Sequence, residues 1–344
     1  MADAAPTRIH ADGVFQGGGV KGIALAGALL GCADHPKLSV ERWVDVAGTS
    51  AGSIIAAYLA TGHGPDELEG VIRSAPYEKF EDFGPGGKLI GGAVNLARHH
   101  GLAHGEYFLE WFDEKVAGKT FASVRRADAK AGSTENEAYH LRMIAADVTR
   151  RELLVLPGDL SLYRSPHTGK PINPDEFKIA DAVRMSMSIP FFFQPVLLVH
   201  EETGEESTIV DGGLLSNFPV WLFDVRDGHA VRPTFGFRLI GGHAGKAQGP
   251  LADAFGWPLK FGSDLFHTAM DAWDTRFMSH STTVRTCPVP AGHVGTTDFD
   301  IGDPEKNQLI KGGREAAWKF LDGINLAEYR NTYGQPLAGG GKGG

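Results

Sequence analysis

The strongest constraint on this chain is a serine held between glycines at the junction of two apolar segments. Trp43 to Ala47 reads as a buried strand, Gly48-Thr49-Ser50-Ala51-Gly52 follows, and Ala51 to Leu59 reads as a helix with almost no polar face. A strand that turns straight into a helix leaves little room beside the turning residue, so small residues must flank it. A helix that is apolar all round has to be buried. The same arrangement occurs earlier, where Val14-Phe15-Gln16 is a short strand stopped by Gly17-Gly18-Gly19 and Val20 to Leu30 is a helix rich in Ala, Gly and Leu. The small residues of that helix suit close packing on a sheet. Strand, turn and buried helix in repetition predict an α/β fold, with a largely parallel central sheet and helices on both faces.

The rest of the chain continues this alternation. Leu141–Ala146 and Leu153–Leu156 read as strands, Tyr107–Val116 as a helix, and Ile179–Ser188 as a helix closed by Pro190. Val196–Val199 and Thr208–Val210 pair as a hairpin about the acidic turn Glu201–Glu206. A strand is expected at Thr234–Ile240, an amphipathic helix within Pro250–His280, a strand at Thr283–Arg285 and a last helix over Pro304–Asp322. Between Gly62 and His104 the pattern loosens into Gly and Pro with scattered apolar residues, the signature of a lid or binding loop. Residues 1–9 and 337–344 read as disordered ends. With no repeat and no linker in between, residues 10–325 form one domain.

The formal net charge is −9 and Lys and Arg form no block anywhere, which excludes nucleic acid as the main partner. The same distribution excludes purely electrostatic docking on anionic membranes, while apolar contact with a membrane or micelle surface stays open. The only cysteines, Cys32 and Cys287, stand alone and read as small buried residues. Neither a zinc site nor a disulfide framework is suggested, a calcium loop is absent, and no metal or cofactor is expected. The N-terminal stretch lacks the apolar core of a signal peptide, and no run of apolar residues is long enough to span a bilayer. The expected compartment is the cytoplasm, and export without a cleavable signal would leave the same sequence. Composition sets no oligomeric state.

Three motifs carry chemistry. Gly48–Gly52 is a G-x-S-x-G in the strand–turn–helix context that lifts a serine hydroxyl off the end of a sheet, at a helix N-terminus whose dipole favours developing negative charge. Gln16-Gly17-Gly18-Gly19-Val20-Lys21-Gly22 frees backbone N–H groups to face one point, which suits an oxyanion or a phosphate equally. Gly17, Gly19 and Gly22 also satisfy G-x-G-x-x-G, but the acidic residue a dinucleotide site needs about 20 positions on is missing at Ser39–Val40. A phosphate loop of the Lys-Ser/Thr kind fails because Gly22 follows Lys21. The third motif is Asp211-Gly212-Gly213 at the end of a strand, which alone would be an ordinary turn. Together they supply a nucleophile, donors for a tetrahedral oxyanion and a candidate base. His229, His243, His267, His280 and His293 follow Asp211, so a triad histidine stays open on spacing alone.

In this order, the glycine loop, the serine elbow and Asp211-Gly212-Gly213 resemble the patatin-like phospholipase family. Ser186-x-x-Ile189-Pro190 running on to Phe193-Gln194-Pro195-Val196, and Ala145-Ala146-Asp147-Val148, are similar to other segments of it, so the resemblance spans roughly residues 11–325. It implies a three-layer α/β/α fold and a catalytic dyad in place of a triad. Ser50 would attack the ester carbonyl, Asp211 would take its proton, and the amides of Gly17, Gly18 and Gly19 would hold the oxyanion. Lys21, Gly22, Gly48, Gly52, Gly212 and Gly213 would support these groups. The implied partner is a lipid or another acyl ester. Phe80, Phe83, Phe108, Trp111, Phe191–Phe193 and an apolar set in residues 255–266 are candidate walls for its acyl chain. Two alternatives remain open: a Ser-His-Asp esterase using a late histidine, and a lipid-binding protein without catalysis.

Overall fold

The structure is a computed structural model and describes residues 6–83, 92, 96, 100–132, 135–224, 232–241, 261–262, 264–266, 268–270, 283–326 and 329. Its middle layer is a nine-stranded sheet, flanked by helices in an α/β/α arrangement. Strand β1 (Thr7–Phe15) and β2 (Leu38–Thr49) run parallel and are joined by α1 (Ile23–Asp34), which follows a short 3-10 turn at Gly19–Gly22. Thr7, Arg8 and Ile9 belong to β1 and not to a disordered end, because each pairs with a residue of β2. Residues 337–344 lie outside the described set.

Helix α2 (Ala51–Ala60) opens directly after β2, as expected. The loosened region beyond it holds a helix that the apolar pattern does not reveal, α3 (Pro65–Ser74). It buries Leu68 and Ile72, with Val71 between them on the same face, a stripe too short to stand out among the Gly and Pro around it; its other signals are the ends, with Pro65 in the first turn beside Asp66 and Glu67 and Arg73 in the last. The remaining elements are β3 (Gly101–Ala103), α4 (Glu106–Lys115), β4 (Leu141–Asp147), β5 (Glu152–Leu156) and β6 (Tyr163–Arg164). They continue with α5 (Ile179–Ser186), β7 (Phe191–Phe193), β8 (Val196–His200), β9 (Glu206–Asp211), β10 (Thr234–Ile240), β11 (Thr286–Pro290) and α6 (Asp303–Asp322).

Strand order is β11-β10-β1-β2-β4-β9-β8-β6, with β5 paired on β4. The expected parallel arrangement holds from β11 to β4, and β5, β9, β8 and β6 extend it antiparallel. The strand expected at Thr283–Arg285 lies instead at Thr286–Pro290. Pro288 and Pro290 argue against a strand, yet β11 is at the edge of the sheet, where a missing N–H is tolerated.

The register at β4 creates the site. β5 occupies one edge of β4 over Met143–Asp147. On the other edge β2 pairs parallel as far as Thr49↔Ile144, and β9 pairs antiparallel up to Ala145↔Asp211. The C-terminal ends of β2 and β9 therefore meet head to head at consecutive positions of one strand. The residue after β2 is Ser50, and the last residue of β9 is Asp211.

The two sheet faces differ. Phe15, Gly48 and Met143 are in register and face α2. Val14, Ala47 and Arg142 face the other way, where Val14 packs on Phe218 and Val220 and Arg142 donates to the Leu222 carbonyl. The glycines of α1 serve a helix and not the sheet: a Cβ on Gly27 would lie 2.1 Å from the Ile310 carbonyl oxygen of α6, and one on Gly313 2.0 Å from that of Ala24. No helix among the described residues is long and apolar enough to cross a membrane.

Candidate active site

Ser50 sits at the elbow with φ 53° and ψ −128°, a conformation that costs a non-glycine residue strain and is kept only where the surroundings impose it. The surroundings here are backbone. A Cβ on Gly48 would lie 2.1 Å from the Gly52 carbonyl oxygen, and one on Gly52 2.1 Å from that of Phe15, so the elbow is pressed against both α2 and β1. The Ser50 N–H donates to Ser186 Oγ at 3.0 Å, and that hydroxyl donates in turn to the Ile144 carbonyl at 2.7 Å.

Asp211 is fully buried. Its backbone N–H donates to the Ser188 carbonyl at 2.9 Å and its Oδ1 accepts from the Gly213 N–H at 2.7 Å. Gly212 tucks under β4, its missing Cβ 2.2 Å from the Ile144 carbonyl oxygen. Burial pushes the carboxyl up to about 7; the Ser50 hydroxyl and the Gly213 N–H pull against that shift without cancelling it. The hydroxyl stands beside the carboxyl but short of full hydrogen-bond geometry, so Oδ2 has no partner among the described residues. The structure thus brings Ser50 and Asp211 together, and no histidine among the described residues is hydrogen-bonded to either. His293 is exposed, and His229, His243, His267 and His280 fall outside the described set.

The glycine loop lies alongside. Gly17 is wedged against the elbow, since a Cβ there would be 3.0 Å from Ser50 Cβ. Its N–H is already engaged, donating to the Asn217 carbonyl at 3.1 Å, which removes it from the three amides expected to hold an oxyanion. The N–H groups of Gly18 and Gly19 have no partner among the described residues. Gln16 ties the loop to β10, its Oε1 accepting from the Leu239 N–H at 2.7 Å. Lys21 closes the 3-10 turn through its backbone N–H to the Gly18 carbonyl, and Gly22 abuts Ala51, 2.9 Å from Cβ to Cβ were a side chain present.

This geometry coincides with a family match. The sequence profile described as Patatin-like phospholipase fits residues 13–224. The chain belongs to that family. It is also similar to the uncharacterized protein YqhO of Bacillus subtilis, 37% identical over 319 residues that cover 91% of this chain and 98% of the other. The cGAMP-activated phospholipase of Vibrio cholerae is 28% identical over 182 residues, 52% of this chain and 44% of that protein. Among solved structures, VipD from Legionella pneumophila superposes with a TM-score of 0.50 at 17% identity, over 91% of this chain and 67% of that one, and shares the fold.

Four residues of this patatin-like site escape sequence reasoning because they act across long stretches of chain. Ser186 and Ser188 hold the backbones of Ser50 and Asp211. Arg184 is buried, has no ion pair among the described residues, and donates to Ser188 Oγ at 2.6 Å, the His104 carbonyl at 2.6 Å and the Gln194 carbonyl at 2.8 Å; burial pulls it down to about 10, against the pull of Asp82 and Glu106. Asn217 holds Gly17. The available signal was proximity in sequence: three of the four fall in the Ser186–Pro190 segment or just before it, and Asn217 follows the acidic turn.

The proposed acyl walls divide. Phe80, Phe108 and Trp111 pack on one another with ring centroids 5.2–6.0 Å apart, as ordinary core. Phe192 stacks on Phe299 at 5.1 Å and meets Phe83 at 6.5 Å. Within the stretch expected as a lid, α3 packs on α1, whereas described residues between 261 and 270, from the expected amphipathic helix, reach the site. A Cβ on Gly262 would lie 2.7 Å from the Phe191 ring, and Met270 Cε lies 3.0 Å from the Cβ position that Gly213 leaves empty. Phe255, Trp257 and Leu259 lie outside the described residues. Ser50 is only 2% exposed.

Proposed function

We propose that this chain is a serine lipid acyl hydrolase in which Ser50 is the nucleophile and Asp211 the base that serves it. The observation that carries the reading is a buried carboxyl, raised to about 7, beside a strained serine at the start of a helix. An ordinary carboxylate, with a pKa of about 4, is too weak a base for a hydroxyl, and one poised near neutrality is far better matched.

In acylation Asp211 takes the hydroxyl proton as Ser50 Oγ bonds to the ester carbon. The carbonyl π electrons move onto oxygen, which the N–H groups of Gly18 and Gly19 receive; each such donor is worth about 3 kcal/mol of barrier. Collapse breaks the bond to the lipid alcohol, which leaves with the proton from Asp211. Water then repeats the cycle: Asp211 accepts its proton, the oxygen adds to the acyl carbon, and Ser50 departs reprotonated. Phospholipids come first as substrate, since the Vibrio cholerae relative is a phospholipase. Phe261 and Leu265, exposed on the segment whose Phe266 and Met270 are buried, support contact with a lipid surface.

A fluorophosphonate probe should label the folded protein, and Ser50→Ala should abolish both labelling and fatty-acid release from phosphatidylcholine vesicles. The kcat/KM profile should rise with pH through about 7, because only ionised Asp211 is competent. A folded protein that is neither labelled nor impaired by Ser50→Ala would overturn the reading.

A further inference from the structure

Asn217 touches both loops that meet at Ser50. It is 3% exposed. Its backbone carbonyl accepts from the Gly17 N–H at 3.1 Å, and its side-chain Nδ2 donates to the Gly17 carbonyl at 3.3 Å, so the first glycine of the loop is clamped on both sides of its peptide. The other end of the amide is unpaired, Oδ1 having no hydrogen-bond partner among the described residues. That oxygen is threaded between two glycines: it lies 2.2 Å from where a Cβ on Gly17 would be and 3.0 Å from where one on Gly213 would be. The second of those positions is also 3.1 Å from Asp211 Oδ1, and the first is 3.0 Å from Ser50 Cβ. Glycines at 17 and 213 are thus the space this amide occupies, and a buried acceptor without a donor is costly enough to need a reason.

We propose that Asn217 is a positioning residue for acyl transfer, which fixes the glycine loop against Ser50 and spaces it from the Asp211 turn. This rests on the reading of Ser50, Asp211 and the Gly18 and Gly19 amides given above. By holding Gly17 from both sides, Asn217 leaves the next two N–H groups as the free ones and sets where they point. An amide suits the position because it donates to the Gly17 carbonyl while placing no charge beside Asp211. A carboxylate there would lose the donor and become a charged neighbour of a base whose pKa is set by burial, the Ser50 hydroxyl and the Gly213 N–H alone.

The test compares native protein with Asn217→Asp and Asn217→Ala on a p-nitrophenyl ester and on a fluorophosphonate. In both variants kcat should fall by about a hundredfold, the effect of displacing one oxyanion donor, with KM within about threefold and labelling slowed in parallel. Asn217→Asp should also move the acid limb of kcat/KM to higher pH, while Asn217→Ala leaves the limb in place. A purely structural role would lower melting temperature and leave kcat and labelling rate per folded molecule within about threefold of native. If Asn217→Ala turns over and is labelled within about threefold of the native protein at equal folded fraction, the inference is wrong. Should Asn217→Ala misfold, the near-isosteric Asp variant carries the test through kcat against KM and through labelling rate at equal folded fraction. Failure of the underlying reading looks different, since then native Ser50 itself is not labelled.

Discussion

Of the aspartates buried on strands of the central sheet, two are treated in opposite ways. Asp45, within β2, is 3% exposed and receives Arg126 Nη2 at 2.5 Å, Arg232 Nη2 at 2.7 Å and His140 Nδ1 at 2.7 Å. Burial pushes its pKa up, but these partners outweigh burial and hold the carboxyl below its ordinary value. Asp211, at the end of β9, receives among the described residues one backbone N–H, from Gly213, with the Ser50 hydroxyl beside it, and its Oδ2 has no partner there, so burial wins and its pKa climbs to about 7. On the proposed reading, the contrast separates a structural carboxylate from one placed to act as a base. Where the charge should be inert the fold supplies partners to every lone pair it can reach. Where the charge must take up a proton the fold withholds them, and the strain of that choice resides in the folded state.

The largest break in the comparison is Asp211→Asn. Removing the base should lower kcat by roughly 10²–10⁴-fold. Its stability effect has the opposite sign. A carboxyl whose folded pKa exceeds its unfolded value of 3.8 costs stability as pH rises from there through about 7. The amide carries no such cost. The variant should therefore melt higher than the native protein at pH 8 to 9, and the gap should shrink toward pH 4. A variant that loses activity and stability together at alkaline pH would show that Asp211 belongs with Asp45.

Asp45→Asn should do the reverse. It removes the carboxylate that pairs with Arg126 and one of the two that Arg232 reaches, Asp12 Oδ1 at 3.0 Å being the other, and breaking a fully buried pair costs about 3–5 kcal/mol. The two arginine side chains remain 26% and 25% exposed, so roughly 2–4 kcal/mol is expected by urea unfolding at pH 7. Because the folded pKa of Asp45 is depressed, this stabilisation exists above 3.8 and is lost as pH falls through the folded value. Native and variant should converge in acid. Turnover per folded molecule should stay within a few-fold, since Asp45 lies on β2 well before the elbow.

How much of this was legible in the sequence follows from range. The elbow was, because strand, Gly48, Ser50 and the helix from Ala51 are adjacent, and the helix ends within a residue of where its apolar run stops. The strand at Thr234–Ile240 was legible for the same reason, as a closed run of strand-forming residues. The meeting of β2 and β9 on one edge of β4 was not, because it depends on the register of three strands that no local pattern encodes. The engagement of Gly17 was equally hidden. Three glycines look alike in sequence, and only a carbonyl 200 residues away distinguishes the one whose N–H is taken. Edge position decided the case of β11, where Pro288 and Pro290 outweighed the β-branched Thr283 and Val284 as evidence but not as structure.

The smallest effect sharpens the comparison most, since Ser186 could belong to either side of it. Its hydroxyl is completely buried and joins the Ser50 N–H to the Ile144 carbonyl, at 3.0 and 2.7 Å. Ser186→Ala leaves a buried donor and a buried acceptor without each other's bridge, which costs about 1–3 kcal/mol. If the bridge merely fastens α5 to the sheet, that loss is the whole effect, as for Asp45. The strained φ of Ser50 argues for more, because a residue held at +53° drifts once its N–H is released. We therefore expect fluorophosphonate labelling to slow by about tenfold at equal folded fraction, a displacement small beside the loss of the base but of the kind that misplaced nucleophiles show. Labelling at the native rate, with the melting temperature alone reduced, would place Ser186 among the residues that hold the sheet and leave the elbow self-sufficient.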